Sequence, residues 1–383
     1  MSRIENAVAQ YVVAVEPLAA LDDPSEWLAA LERANEAAKE AGACADSATS
    51  DELRLAAEKL FPSLEVPDPQ PSGQAALTLG VFVEYGLEPG FVGSHLLGPF
   101  REVLELTAAF IERVEAELPE SADEDVEEEP SSYWVEDRYV TPELAKQFFL
   151  EDRRLPQAYF AMEEWCLPVV AVLSRDRNLL AEARGDERLV DLADRLAYCG
   201  ATFVRMLLMM LSGESLLVLH PSTGQGFKLL IDGVTDNFQL HTLLADALVV
   251  ERRGLFRRRQ GPEWGIPGLR PSPSVAAVAR GDGPQCIDEH SSGVWNFYQW
   301  TAIDDAAKLP DDVDMEHWIW NEGIPADIAP FAGVRVVILG TPQYTRTWNT
   351  ARSIAGLTAR AEVEEVLDRR QVQDWLTRFA SAD

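Results

Sequence analysis

The hydrophobic period along the chain changes once, and that change divides it. From the start to about residue 118, apolar positions recur every three or four residues, the spacing that gathers them on one face of a helix. In Asp23-Pro24-Ser25-Glu26 the aspartate can cap a helix, the proline has the preset φ of a first turn, and the glutamate can close a capping box. Trp27, Leu31, Ala34 and Ala38 then share one face, with Gly42 as a stop. Residues 61–72 are Pro-rich and predict a structureless joint; a helix through Leu77, Leu79, Phe82 and Val83 follows and ends at Gly86, and another runs over about 98–118. Helical spacing resumes at Thr141-Pro142-Glu143 and continues through 155–173 and 188–211. There Leu196, Phe203, Met206, Leu207 and Met210 form a stripe expected to lie in the first core.

Near Ser212 the period falls from 3.6 to 2, which places a domain boundary between 1–212 and 213–383. Residues 215–220 and 227–231 flank a Gly-containing turn and predict two strands of a hairpin. Asp236 and Gln239 have capping-box spacing and open a helix reaching about Val249. Apolar runs at 294–300, 316–320, 334–339 and 361–367 predict further strands, and a helix closes the chain at 369–379. Few of these strands are separated by long helices. The fold class expected is therefore α+β, an irregular N-terminal helical bundle followed by a mixed or mainly antiparallel α+β domain.

Two segments break the pattern. Residues 119–132 carry seven carboxylates and one large apolar side chain, Val126, between 120 and 129, and read as a disordered acidic loop. Residues 251–280 form an Arg-rich loop holding Arg252, Arg253, Arg257, Arg258, Arg259, Arg270 and Arg280. It is open to a phosphate ligand, to the chain's own acidic loop, or to solvent alone. Over the whole chain 64 acidic residues stand against 33 basic ones, a formal charge of −31. Such a field repels phosphate polymers and anionic lipid, which argues against a general nucleic-acid binder. The most apolar stretch, 203–219, contains Arg205, Gly213 and Glu214 and does not read as a membrane span. Cys44, Cys166, Cys199 and Cys286 are far apart with no CxxC pair, and the opening residues are polar. A cytoplasmic protein with free thiols and no cofactor is the expectation.

Candidate chemistry is sparse. Gly224-Gln-Gly226-Phe-Lys228 lacks the spacing and the following helix of a phosphate loop and reads as a hairpin turn, and no HExxH or GxSxG is present. Cys286-Ile-Asp-Glu-His290 reads as a solvated loop. Asp311, Asp312, Asp314, Glu316 and His317 lack the spaced ligands of a calcium loop, so no metal site is assigned. One constellation could move a proton or bind an anion: His220 at the end of a strand, with Asp236, Asn237 and His241 across the start of the next helix. Its plainer reading makes Asp236 a cap and His241 a core residue. Trp295, and separately Trp318 with Trp320, lie on strand faces that could stack a ligand, and Arg257, Arg258 and Arg259 could grip a phosphate.

Together these features favour a non-catalytic cytoplasmic interaction module, an adaptor or immunity-like inhibitor, presenting an acidic surface to a basic protein partner. The alternative is an enzyme of the C-terminal domain, a hydrolase or transferase acting on a phosphorylated or nucleotide-like ligand through His220, Asp236, Asn237 and His241.

Overall fold

A computed structural model describes residues 2–21, 23–117, 140–250 and 264–382. The acidic segment at 119–132 and Arg252, Arg253, Arg257, Arg258 and Arg259 lie outside the described residues. The chain divides into two compact units, Met1–Leu208 and Met209–Asp383. The first is helical and the second is a mixed sheet with helices, so the molecule is α+β.

In the first unit, local caps account for most helix starts. Asp23 accepts from the backbone N–H groups of Ser25 and Glu26 at the head of Pro24–Cys44, and Thr49 with Glu52 closes a capping box on Ser50–Leu60. The Pro-rich stretch expected to be structureless is ordered: Phe61–Glu65 is a 3-10 turn, and a helix begins at Pro69. Prolines at the first turn lack N–H groups that would have no partner there, so Pro69 and Pro71 start a helix where composition suggests a linker. The next helix also starts earlier than its glycines imply, running over Pro89–Ala116 through Pro99. Its buried face, with Val92, Leu96, Phe100, Val103 and Leu104, outweighs the hydrogen bond that an interior proline forfeits. Helices Pro69–Glu84 and Met162–Leu173 pack closely, Gly80 lying directly against Pro168. Of the stripe assigned to the first core, Leu196 and Leu207 are buried in this unit, Phe203 faces outward, and Met210 is buried but belongs to the second unit. The helix there is short, Thr202–Leu208, and Val204 takes the inward position.

The second unit is built on a seven-stranded sheet. Its strands are β1 (Leu211–His220), β2 (Gln225–Val234), β6 (Asn296–Tyr298), β7 (Trp318–Ile319), β8 (Pro330–Phe331), β9 (Val334–Gly340) and β11 (Arg360–Leu367). The order is β11-β2-β1-β9-β6-β7, with β8 on β9; only β1 and β9 run parallel, and the other pairs are antiparallel. Two small ladders join β3 (Val249–Val250) to β4 (Ile266–Pro267), and β5 (Cys286–Ser292) to β10 (Thr347–Ala351).

Both faces of the main sheet are covered. Leu216 and Val218 face Leu240, Leu244 and Leu248 of the helix Asn237–Leu248, while Leu217 and Leu219 lie with Val372, Leu376 and Phe379 of the helix Arg369–Ala380. That is why the run Leu216-Leu217-Val218-Leu219 is continuously apolar instead of alternating. The β1–β2 turn contains Gly224 at φ +67°, a left-handed position that glycine takes without strain.

Cys286–His290, read as a solvated loop, lies in the strand β5. Its alternating polar composition hides it, since most of its side chains are exposed. Residues 273–280, inside the supposed Arg-rich loop, form a helix capped by the Ser272 hydroxyl with Pro273 in its first turn. The predicted strands at 294–300 and 316–320 shorten to Asn296–Tyr298 and Trp318–Ile319, because Trp300 and Met315 each open a 3-10 turn.

Candidate functional site

The four residues of the catalytic constellation bond locally. His220 Nδ1 lies 2.7 Å from the Thr223 hydroxyl within its own turn, and burial holds its pKa down to about 4. Asp236 caps the helix Asn237–Leu248: Oδ1 accepts from the Gln239 N–H at 2.8 Å, and Oδ2 accepts from the Ser353 hydroxyl at 2.8 Å. Burial pushes its carboxyl above the usual range, against these hydrogen bonds, which pull the other way. His241 is fully enclosed, its ring stacked on Phe297 at 4.5 Å and near Trp295 and Trp348. Its Nε2 accepts the Val294 backbone N–H at 2.9 Å, which leaves the proton on Nδ1, with the Asn321 amide beside it. Burial keeps this imidazole neutral down to about pH 3. His220 and His241 share no hydrogen-bond partner among the described residues.

Asn237 has a different use. Its backbone N–H donates to the Gly323 carbonyl at 3.0 Å, and its side-chain amide donates to the Trp320 carbonyl at 2.8 Å. A buried asparagine at the head of a helix thereby fixes the turn 320–323, and with it Trp320.

The tryptophans separate into two environments. Trp295 is buried against His241 and belongs to the core. Trp318, in the edge strand β7, and Trp320, one residue past its end, lie together with ring centroids 5.2 Å apart. Tyr344 stacks on Trp318 at 6.4 Å, and the Arg346 guanidinium lies 4.7 Å from the Tyr344 ring and 5.6 Å from the Trp320 ring. Trp320 is 42% exposed, Tyr344 47% and Met315, five residues before Trp320, 67%, values far above those of core side chains.

The segment that carries Trp318 and Trp320 is acidic. Asp304, Asp305, Asp311, Asp312, Asp314, Glu316 and Glu322 are all exposed, and Lys308 is the one basic residue between 304 and 322. Two bonds tie this loop to the aromatic cluster: the Trp318 indole donates to the Val313 carbonyl at 3.0 Å, and the Gln343 amide donates to the Asp311 carbonyl at 3.3 Å. His317 bonds to the Thr301 hydroxyl and lies 3.4 Å from Glu316. Among the described residues no group of three His, Cys, Asp or Glu side chains is arranged to hold a metal ion.

Sequence reasoning missed Tyr344 and Arg346. They stand 24 and 26 residues beyond Trp320 in an irregular stretch, and their alternate spacing was the only local signal.

The two described arginines of the Arg-rich segment have partners inside the unit. Arg270 and Arg280 grip opposite oxygens of Asp246 at 2.8 and 2.7 Å, and Arg280 also reaches Asp282 at 2.9 Å. They line a cleft of about 750 Å³ between the helices Asn237–Leu248 and Pro273–Arg280 and strand β5. Asp246 and Glu289 in the same walls cancel their charge, so the cleft offers little attraction to an anion.

No helix among the described residues is long and apolar enough to cross a membrane. Compared with protein-family models, with curated proteins and with solved structures, the chain matches none.

Proposed function

We propose that this chain is a non-catalytic protein-interaction module, an adaptor or inhibitor, whose second unit presents an acidic face with an aromatic centre to a basic protein segment. One observation carries the reading: exposed Trp320 and Met315 belong to, and exposed Tyr344 packs onto, a segment 304–322 with seven exposed carboxylates and a single lysine. Partly exposed tryptophan and tyrosine supply contact area at low entropic cost, and surrounding charge of one sign selects and steers a partner of the other. The positions of His220, Asp236 and His241 in a turn, a cap and the core favour this reading over an enzyme using those groups.

The test uses a blocked synthetic peptide, Gly-Lys-Leu-Arg-Leu-Lys-Gly, titrated calorimetrically. A triple variant Asp311→Asn, Asp312→Asn, Asp314→Asn is compared with a control, Glu32→Gln, Glu36→Gln, Glu115→Gln, which removes equal charge from exposed positions of the first unit. Three exposed pairs at roughly 0.5 kcal/mol each amount to about a tenfold loss for the first variant, with the control near wild type. Equal losses in both would mean that the peptide senses only the overall field, and the proposal would fall.

A further inference from the structure

The acidic face holds a cation of its own. Among the described residues most arginines answer a carboxylate, as Arg3, Arg101, Arg153, Arg270 and Arg280 do. Arg346 forms no ion pair among these residues and directs its guanidinium at aromatic rings. Its Cζ stands 4.7 Å from the Tyr344 centroid and 5.6 Å from that of Trp320, and its Nε donates to the Tyr344 hydroxyl at 2.5 Å. Trp318 backs this pair, tilted 35° to Trp320 and 20° to Tyr344, and its indole is anchored to the Val313 carbonyl. Trp320 is fixed from behind by Asn237 through its carbonyl. Trp318 and the backbone of Trp320 are therefore held by contacts that do not involve Arg346, whereas Tyr344 is held by Trp318 and by Arg346 itself.

We infer that Trp320 and Tyr344 form a seat for an arginine side chain of the basic partner, and that Arg346 fills this seat in the free protein. The inference rests on the acidic-face reading and identifies the side chain that the face receives. A planar guanidinium suits the site better than a compact ammonium, because it can lie over a ring and still donate at its edge to a hydroxyl such as that of Tyr344. The bound cation also meets the field of Asp311, Asp312, Asp314, Glu316 and Glu322. Arg346 gains little from being the occupant: an exposed cation–π contact and one exposed hydrogen bond to a hydroxyl are each weak, and an arriving arginine makes the same two contacts, so it exchanges with Arg346 at small cost. Once released, Arg346 enters a surface rich in carboxylates. Filling the seat from within also keeps two exposed aromatic rings from presenting a bare apolar patch when no partner is bound.

The experiment titrates the same blocked peptide, and a version with citrulline in place of arginine, into wild type, Arg346→Ala and Trp320→Ala. Near-UV circular dichroism checks that each variant retains its fold, and Arg346→Gln is used if the alanine variant does not. Emptying the seat should tighten binding of the arginine peptide about threefold to fivefold, the strength of one exposed cation–π contact, and tighten the citrulline peptide, whose two lysines feel only the loss of one repelling charge, by clearly less. Trp320→Ala should abolish the preference for arginine over citrulline. Weaker binding by Arg346→Ala would show that Arg346 itself touches the partner, and unchanged binding would show that it occupies nothing; either result overturns the inference. If the Asp311, Asp312, Asp314 variant still binds less well in that case, the acidic face stands and only the seat is lost. If that variant binds like wild type, the face itself is wrong.

Discussion

His241 shows what burial does to a titratable side chain. In the folded protein its imidazole is neutral down to about pH 3, whereas in the unfolded chain it takes up a proton near 6.5. A histidine whose folded pKa is depressed contributes its full stability above the unfolded value, and that stability is lost as pH falls from about 6.5 toward 3. The slope is at most about 1.4 kcal/mol per pH unit for one proton. His220, held down to about 4, acts in the same sense, and Asp236, held up, acts in the opposite one. His241→Phe isolates the first contribution because the other two remain. At pH 7 this variant should be less stable by about 1–3 kcal/mol, since the Val294 N–H loses its acceptor. The deficit should narrow as pH is lowered from 7 to 4.5, measured by urea unfolding at each pH. A deficit that stays constant across that range would mean that the wild-type imidazole protonates in the folded state.

At the scale of elements, the packing of Pro69–Glu84 on Met162–Leu173 turns a general rule around. Replacing a helix-interior glycine by alanine ordinarily stabilises a protein by about 1 kcal/mol. At Gly80 the new Cβ would lie 2.7 Å from Pro168 Cα, a backbone atom that cannot move aside alone. Gly80→Ala should therefore destabilise the first unit by about 1–3 kcal/mol, seen as a lower urea midpoint, and a higher midpoint would show that the helices separate freely. The same scale explains what the sequence made legible. Helix faces, the hairpin 215–231, the cap at Asp236 and the mainly antiparallel sheet follow from periods of 3.6 and 2 and from short-range capping chemistry, so they could be read from residues close together. Strand β5 could not, because its side chains are mostly exposed and carry no apolar alternation. Helix Pro89–Ala116 was shortened in the reading because Gly98 and Pro99 are local breakers, while the core that overrides them is tertiary. The candidate site was half legible: Trp318 and Trp320 announce themselves as alternate positions on a strand. Tyr344, Arg346 and the supporting bond from Asn237 depend on chain segments tens of residues apart.

For the molecule as a whole, the formal charge of −31 should make salt act in opposite directions on folding and on binding. Raising ionic strength from about 0.01 to 0.15 M shortens the Debye length from roughly 30 to 8 Å. That weakens the exposed pairs, such as Arg3–Glu40 and Lys228–Glu365, each worth only about 0–1 kcal/mol. It also weakens repulsion among the carboxylates, which outnumber the basic groups by 64 to 33 and so cannot all find partners. Repulsion is greater in the compact state than in the expanded chain, so its screening favours folding, and the excess of one sign makes this the larger effect. The thermal midpoint should rise by a few degrees over that salt range. Over the same range the basic peptide should bind progressively less well, because attraction between the acidic face and a cationic segment is screened by the same ions. Differential scanning calorimetry and titration in matched sodium chloride buffers measure both. A falling midpoint would mean that the surface pairs dominate the electrostatics of the fold. Binding that ignores salt would mean that the aromatic rings act without the carboxylates around them.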